Sequence, residues 1–156
     1  MAPRAGIGFD SHRLVEGESL IVGGVEIEHD RGLAGHSDAD VLTHAVIDAL
    51  LGAGGLGDLG EHFPPDDERW RDADSIDLLR TVLGMLRCSP INVDATVICE
   101  QPKLAPHRAE MEAKLSEALG APVSVKATSN EGMGAIGRGE GIACIAVAIV
   151  ETGEPA

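Results

Sequence analysis

The run ACIAVAIVE, Ala143 to Glu151, constrains the fold more than any other stretch of this chain. It is too continuously apolar for an edge washed by solvent, so it reads as a central strand with neighbours on both sides. Partners are available as strands at about 3 to 9, about 19 to 27, about 92 to 99 and about 123 to 128, with the central strand itself at about 141 to 151. Helical periodicity falls at about 38 to 52, about 75 to 87 and about 106 to 119. Pro106 near the start of the third helix and Gly120 just past its end are the expected punctuation. Three helices and about five strands predict an α+β fold in which a mixed β-sheet carries its helices on one face. No internal repeat, linker or low-complexity tract divides the sequence, so residues 1–156 are expected to form a single domain.

The segment GIGFDSHRL, Gly6 to Leu14, places Asp10 and His12 two residues apart after an apolar run. On a strand, period-two alternation turns both side chains to one face. A carboxylate beside an imidazole supplies two-thirds of an open Zn²⁺ site, because a catalytic zinc uses three protein ligands of nitrogen and oxygen type and leaves a position for substrate. The third ligand is expected from AGHSDADVLTHAVIDALLGA, Ala34 to Ala53. There Ser37, three residues before Asp40, marks a helix start, and Asp40 and His44 share one face opposite Leu42, Val46, Ala49 and Leu50. His44 is the third candidate. Any one of these residues alone reads as a turn former or a half-exposed histidine; the joint pattern carries the metal reading.

Charge and composition exclude several functions. Twelve basic against 26 acidic residues leave a formal charge of -14, which repels nucleic acid and anionic membranes. With no Tyr, one Trp and two Phe, the chain has no aromatic platform for stacking bases. A phosphate substrate would need bound cations to bring it in. Cys88, Cys99 and Cys144 are scattered and never form C-x-x-C, as expected of reduced core residues in a cytoplasmic protein. No charged-then-apolar leader opens the sequence and no apolar run reaches about 18 residues, so neither export nor membrane spanning is expected.

Two irregular segments remain. GDLGEHFPPDDERWRDADS, Gly57 to Ser75, reads either as a hinged flap over the metal site or as a solvated acidic connection. KATSNEGMGAIGRGEGIA, Lys126 to Ala143, carries glycines at 132, 134, 137, 139 and 141 that oppose regular structure and let backbone amides approach an anion. With the hydroxyls of Thr128 and Ser129 it suits a phosphate cradle, and Glu131 is the hard oxygen ligand that Mg²⁺ takes while also binding phosphate. It equally suits a plain turn between strands, and it matches no P-loop or dinucleotide fingerprint. Arg138 and Glu140 could form an ion pair where copies of the chain meet.

Taken together, GFDSHRL, AGHSDADVLTHAVIDALLGA, GDLGEHFPPDD, QPKLAPH and KATSNEGMGAIGRGEGIA, in this order and at these intervals, resemble the 2-C-methyl-D-erythritol 2,4-cyclodiphosphate synthase family of the non-mevalonate isoprenoid pathway. The similarity covers nearly the whole chain. It implies a homotrimer with active sites between neighbours, converting 4-diphosphocytidyl-2-C-methyl-D-erythritol 2-phosphate to the cyclic diphosphate with release of CMP. It implies one Zn²⁺ per subunit on Asp10, His12 and His44. His36 and Ser37 would contact the methylerythritol phosphate, together with Asp58, Leu59, Gly60 and the flap from Phe63 to Asp67. Cys99, Glu100, Gln101, Pro102, Lys103, Leu104 and Ala105 would hold the cytidine diphosphate from the adjoining subunit, with Ala127, Thr128, Ser129 and Asn130. Glu131 would carry Mg²⁺ or Mn²⁺ between the phosphates, His36 and Ser129 would act on the transferring phosphoryl group, and Arg138 would lie near the threefold axis.

Three positions depart from the family's usual pattern. Ser129 stands where Thr is common, which keeps the hydroxyl. Phe63-Pro64-Pro65-Asp66-Asp67 replaces F-P-D-x-D, which removes an acid and a backbone donor from the flap. Ala135 replaces a bulkier apolar residue near the axis, where it is expected to weaken any isoprenoid diphosphate bound in the central cavity. Two other functions are open to these residues. A phosphodiesterase could use the same metal to activate water. A non-catalytic trimer could hold a structural zinc, although such zinc usually has four protein ligands and no fourth is evident.

Overall fold

The computed structural model describes residues 2–153. A five-stranded sheet is built from β1 (Pro3–Glu16), β4 (Arg31–Leu33), β5 (Cys88–Ile98), β6 (Val123–Thr128) and β7 (Gly141–Thr152), in the order β4-β1-β7-β5-β6. Only β5 and β6 run parallel; every other pair is antiparallel. β7 lies at the centre, as its uninterrupted apolar sequence requires. The expected strand at 19 to 27 is instead a hairpin, β2 (Leu20–Val22) and β3 (Val25–Ile27), split at Gly23 and Gly24, both of which have positive φ. An Asn-free Gly-Gly pair meets the demand of a two-residue hairpin turn for φ above zero.

Of three long helices, α1 (Val41–Gly54) and α4 (Arg108–Leu119) pack on the sheet and α3 (Ser75–Met85) packs against both of them, with two short ones, α2 (Leu59–His62) and α5 (Gly134–Gly137), in the loops. The α+β reading with a mixed sheet holds. α4 is preceded by a 3₁₀ turn over Ala105–His107 with Pro at its start and is closed by Gly120 in the left-handed region, as expected. Two details differ. α1 is capped by Asp40, which accepts from the Thr43 amide, so the helix begins at Val41 and Ser37 lies outside it. α1 is also buried on nearly every side, His44 and Thr43 included, instead of along a single stripe.

β1 explains how α1 reaches the site. Its small residues Gly6 and Gly8 face inward, while Ile7 and Phe9 face out at 70% and 60% exposure. A Cβ on Gly6 would fall 1.9 Å from the Ala49 carbonyl oxygen, and one on Gly8 would fall 2.0 Å from that of Ala45. The helix therefore lies backbone to backbone on the strand, and the next inward positions, Asp10 and His12, are carried up to His44. On the outer face, Ile7 and Phe9 pair in register with Val147 and Ile145 of β7, each 40% exposed, giving an uncovered apolar strip. Among the described residues no helix is long and apolar enough to cross a membrane.

Candidate metal centre and active site

Asp10, His12 and His44 converge at the end of α1 nearest the loop that precedes it. Asp10 Oδ2 lies 2.8 Å from His12 Nε2 and 3.2 Å from His44 Nδ1, and the two nitrogens are 3.3 Å apart. Zinc bonds of about 2.0–2.1 Å in a tetrahedron put neighbouring ligand atoms roughly 3.3 Å from one another, so the triangle has the size such an ion needs.

The hydrogen bonds behind the two rings have the matching sense. His12 Nδ1–H donates to the Ala34 carbonyl at 3.0 Å, which leaves Nε2 as the lone-pair nitrogen. On His44, Nε2 is the atom bonded away from the cluster, to Ser75 Oγ at 2.8 Å and Ser37 Oγ at 3.1 Å. Two imidazole lone pairs and a carboxylate oxygen thus face a common point, an arrangement that repels itself unless a cation or a proton sits between. Burial lifts the Asp10 carboxyl, but hydrogen bonds and charge from His12 and His44 outweigh it and hold the group below its ordinary range. Burial lowers His12, and Asp10 more than reverses this, leaving the imidazole raised. Both shifts describe groups poised to share a positive charge.

The segment Gly57 to Ser75 roofs this cluster. It is irregular over most of its length, as expected, but holds α2 and a 3₁₀ turn over Glu68–Trp70. Phe63 is buried and meets Trp70 edge-on at 4.8 Å between ring centres. Under them lies a cavity of about 210 Å³ lined by Asp10, His12, His36, Ser37 and His44 on the polar side and by Leu59, Gly60, Phe63, Pro65, Trp70 and Leu78 on the other. His36 Nε2 bonds the Asp67 carbonyl at 2.7 Å, tying the roof to the loop before α1. The Asp67 carboxylate is turned onto Arg69, which holds its carboxyl below the ordinary value, so Asp67 meets His36 only through its backbone carbonyl and is not among the residues lining the cavity, against the expectation of a direct substrate contact. Asp58 caps α2 through the Glu61 amide and lines a second groove beside Asp10 and His44 with Leu59 and Gly60.

The remaining expected residues form a second group, at the ends of the parallel strands β5 and β6. The Cys99 amide donates to the Thr128 carbonyl at 2.9 Å, and the Asn130 amide to Glu100 Oε1 at 2.6 Å. Leu104 turns its side chain into the core, leaving its backbone to the group, while Lys103 is exposed. Glu131 has φ of 53°, uncommon for a residue with a Cβ, and its amide donates to Ser129 Oγ at 3.2 Å. The glycine-rich stretch also contains one helical turn, α5, packed so closely that a Cβ on Gly137 would fall 2.3 Å from the Gly132 backbone. Arg138 pairs with Glu140 at 2.7 Å on the surface. The cavity over the metal cluster includes none of this second group.

Four neighbours of the cluster have no signal in the sequence. Trp70 and Leu78 line the cavity, and Ser75 and Asp38 stand behind His44. Their only mark is proximity in the fold, which a linear pattern does not reveal.

Comparison with known proteins agrees with this geometry. The model of the YgbB family matches residues 3–151. A 2-C-methyl-D-erythritol 2,4-cyclodiphosphate synthase of Salinibacter ruber is 57% identical over 155 residues, covering 96% of this chain and 99% of the relative. One from Alkaliphilus metalliredigens is 54% identical over 157 residues, covering 97% and 98%. Among solved structures, the bifunctional IspDF of Campylobacter jejuni superposes with a TM-score of 0.93 at 37% identity; it matches 97% of this chain, which spans only 43% of that longer one. A 2C-methyl-D-erythritol-2,4-cyclodiphosphate synthase in a CDP-bound form superposes at 0.86 and 34% identity, covering 95% of this chain and 100% of that one. Identity above one half along nearly the whole length, on the same fold, makes the chain a member of the YgbB family, that of the 2-C-methyl-D-erythritol 2,4-cyclodiphosphate synthases.

Proposed function

We propose that this protein converts 4-diphosphocytidyl-2-C-methyl-D-erythritol 2-phosphate to 2-C-methyl-D-erythritol 2,4-cyclodiphosphate and CMP. The observation that carries this reading is the Asp10, His12 and His44 triangle lining a cavity with Phe63 and Trp70, in a chain whose relatives bear that name. The nucleophile is the substrate's own 2-phosphate, mostly dianionic at neutral pH because its second pKa lies near 6, so no strong general base is required. What opposes the step is repulsion between that phosphate and the β-phosphate it attacks, and the entropy of closing the ring.

Asp10, His12 and His44 would hold zinc, which would supply Lewis-acid chemistry to the substrate diphosphate. Glu131 would hold Mg²⁺ or Mn²⁺, because its carboxylate suits a hard cation that also takes phosphate oxygens. His36 and Ser37 position the methylerythritol phosphate in the cavity, under Phe63 and Asp67 and beside Asp58, Leu59 and Gly60. The stretch from Cys99 to Ala105 and that from Ala127 to Asn130 grip the cytidine diphosphate through backbone groups, the Thr128 hydroxyl and Lys103. His36 and Ser129 donate to the transferring phosphoryl group, a role that is electrostatic and geometric.

The assembly is a homotrimer with each active site shared by two subunits. Two observations support it: the strip of Ile7, Phe9, Ile145 and Val147 is apolar and uncovered in one chain, and the two residue groups do not share a cavity within one chain. Arg138 then lies near the axis, and Ala135 leaves that region poor in apolar bulk. The protein acts in the cytoplasm, consistent with three thiols that form no disulfide.

The alternative, hydrolysis by a metal-activated water, differs in its use of solvent. Turnover in water enriched in ¹⁸O, followed by mass spectrometry, separates the two: cyclisation releases CMP with no label in either product, whereas label in a phosphate product would overturn the reading.

A further inference from the structure

Behind His44, away from the cluster, lies a chain of three polar groups. His44 Nε2 is 2.8 Å from Ser75 Oγ, and the Ser75 hydroxyl is bonded in turn to Asp38 Oδ1. Asp38 is itself anchored: its Oδ2 accepts from the Ser75 amide at 2.9 Å, its Oδ1 accepts from the Asp40 amide at 3.1 Å, and its own amide donates to the Ala73 carbonyl at 3.1 Å. Ser75 is fully buried at the first position of α3.

The direction of this chain follows from chemistry. An ionised carboxylate only accepts, so the single hydroxyl hydrogen of Ser75 is committed to Asp38. The oxygen of Ser75 can then only accept from His44, which obliges the imidazole to carry its hydrogen on Nε2. The Nδ1 lone pair is left facing Asp10 and His12. Ser37 Oγ also approaches Nε2, at 3.1 Å, but the direction of its hydroxyl is set by no acceptor among the described residues, so it cannot impose a tautomer.

We infer that Ser75, oriented by Asp38, is a positioning residue that fixes the tautomer and the aim of His44. This rests on the metal reading of the cluster. It also explains why Ser37, on the cavity side of the same ring, remains available to substrate: the Nε2 hydrogen already has its partner.

The test is zinc affinity of chelator-stripped protein, measured by competition with a chromophoric chelator at about pH 8, above the ordinary imidazole range. Ser75→Ala is expected to weaken zinc about 10- to 100-fold, the usual effect of removing a partner behind a metal-bound histidine. Asp38→Asn, which frees the hydroxyl from a pure acceptor while keeping its bulk, is expected to weaken it as well, and decides the matter if Ser75→Ala does not fold. Long-range ¹⁵N NMR of the metal-free protein supplies a readout that a merely structural role would not move: His44 protonated on Nε2 in the wild type, and a mixture of tautomers in the variants. Affinity within about twofold of wild type in a folded variant, or wild-type His44 protonated mainly on Nδ1, overturns the inference. A wild type that binds no zinc at this cluster overturns the metal reading first, and the inference with it.

Discussion

Gly8 of β1 and Ala45 of α1 meet so closely that a Cβ on the glycine would fall 2.0 Å from the alanine's carbonyl oxygen. The atom met is backbone, so it cannot swing aside. Gly8→Ala is expected to push α1 off the strand, at about 1–3 kcal/mol or more from overpacking alone. Because Ala45 follows His44 directly, zinc affinity should fall along with the melting temperature. A variant with wild-type stability and affinity would show that the contact is not tight.

Acidity at the cluster sets a second expectation. In the metal-free chain, Asp10 is held below its ordinary 3.8, so its contribution to stability is present above that value and lost as pH falls through its lowered pKa. His12 is raised above its ordinary 6.5, so its contribution is full below 6.5 and lost as pH rises through its raised value. The metal-free cluster is therefore most stabilising between the two. Zinc needs His12 unprotonated and must displace that proton, so the rise in melting temperature on adding zinc should grow from about pH 6 to about pH 8. Thermal melts with zinc and with chelator check this; a gain that shrinks over that range would contradict it.

The thiols should be unreactive in the folded protein. Burial, then the charge of Glu100, pushes Cys99 up to about 11 from an ordinary 9.0, against the opposing effects of a Gln101 backbone hydrogen bond and Lys103. Burial likewise raises Cys144, helped by Asp40 and Asp10, and raises Cys88 despite Arg4. Alkylation of native Cys99 near neutral pH should run about 100-fold slower than for an ordinary thiol, since the thiolate is the nucleophile. Peptide mass spectrometry after timed labelling measures the rate, and labelling at the ordinary rate would place Cys99 outside the core.

Sites shared between subunits can be tested by mixing two dead variants. His44→Ala removes a candidate metal ligand and Glu131→Gln removes the carboxylate proposed for the second metal. If each site takes His44 from one subunit and Glu131 from the next, random co-assembly of equal amounts restores about one quarter of wild-type sites. Turnover by co-expressed mixtures, against the separate variants, reads this directly. No recovery in proven mixed trimers would put both groups in one subunit's site.

How much of this was legible in the sequence depended on range. The D-x-H pair could be read because a strand's period of two puts Asp10 and His12 on one face whatever else surrounds them. Gly120 and the apolar run of β7 were equally local signals. Asp40 is the opposite case. Besides capping Thr43, its carboxylate accepts from the Gly23 and Gly24 amides at 2.8 and 2.7 Å, across a hairpin that the sequence pattern had shown as one strand. Ser37 looked like the cap because its spacing to Asp40 imitates one. Ser75 and Asp38 act on His44 across the chain, 31 residues apart in the case of Ser75, and no periodicity encodes such a contact. The inward placement of Gly6 and Gly8, with Ile7 and Phe9 outside, runs against the habit of burying the larger apolar residues, and makes sense only once α1 is seen to lie on the strand.

The central claim is the reaction, and phosphorus NMR tests it most directly. Purified protein with Zn²⁺, Mg²⁺ and 4-diphosphocytidyl-2-C-methyl-D-erythritol 2-phosphate should yield the resonances of CMP and a cyclic diphosphate, and His44→Ala should abolish both. Wild-type protein that leaves the substrate intact, or produces only hydrolysed phosphate monoesters, would contradict the account.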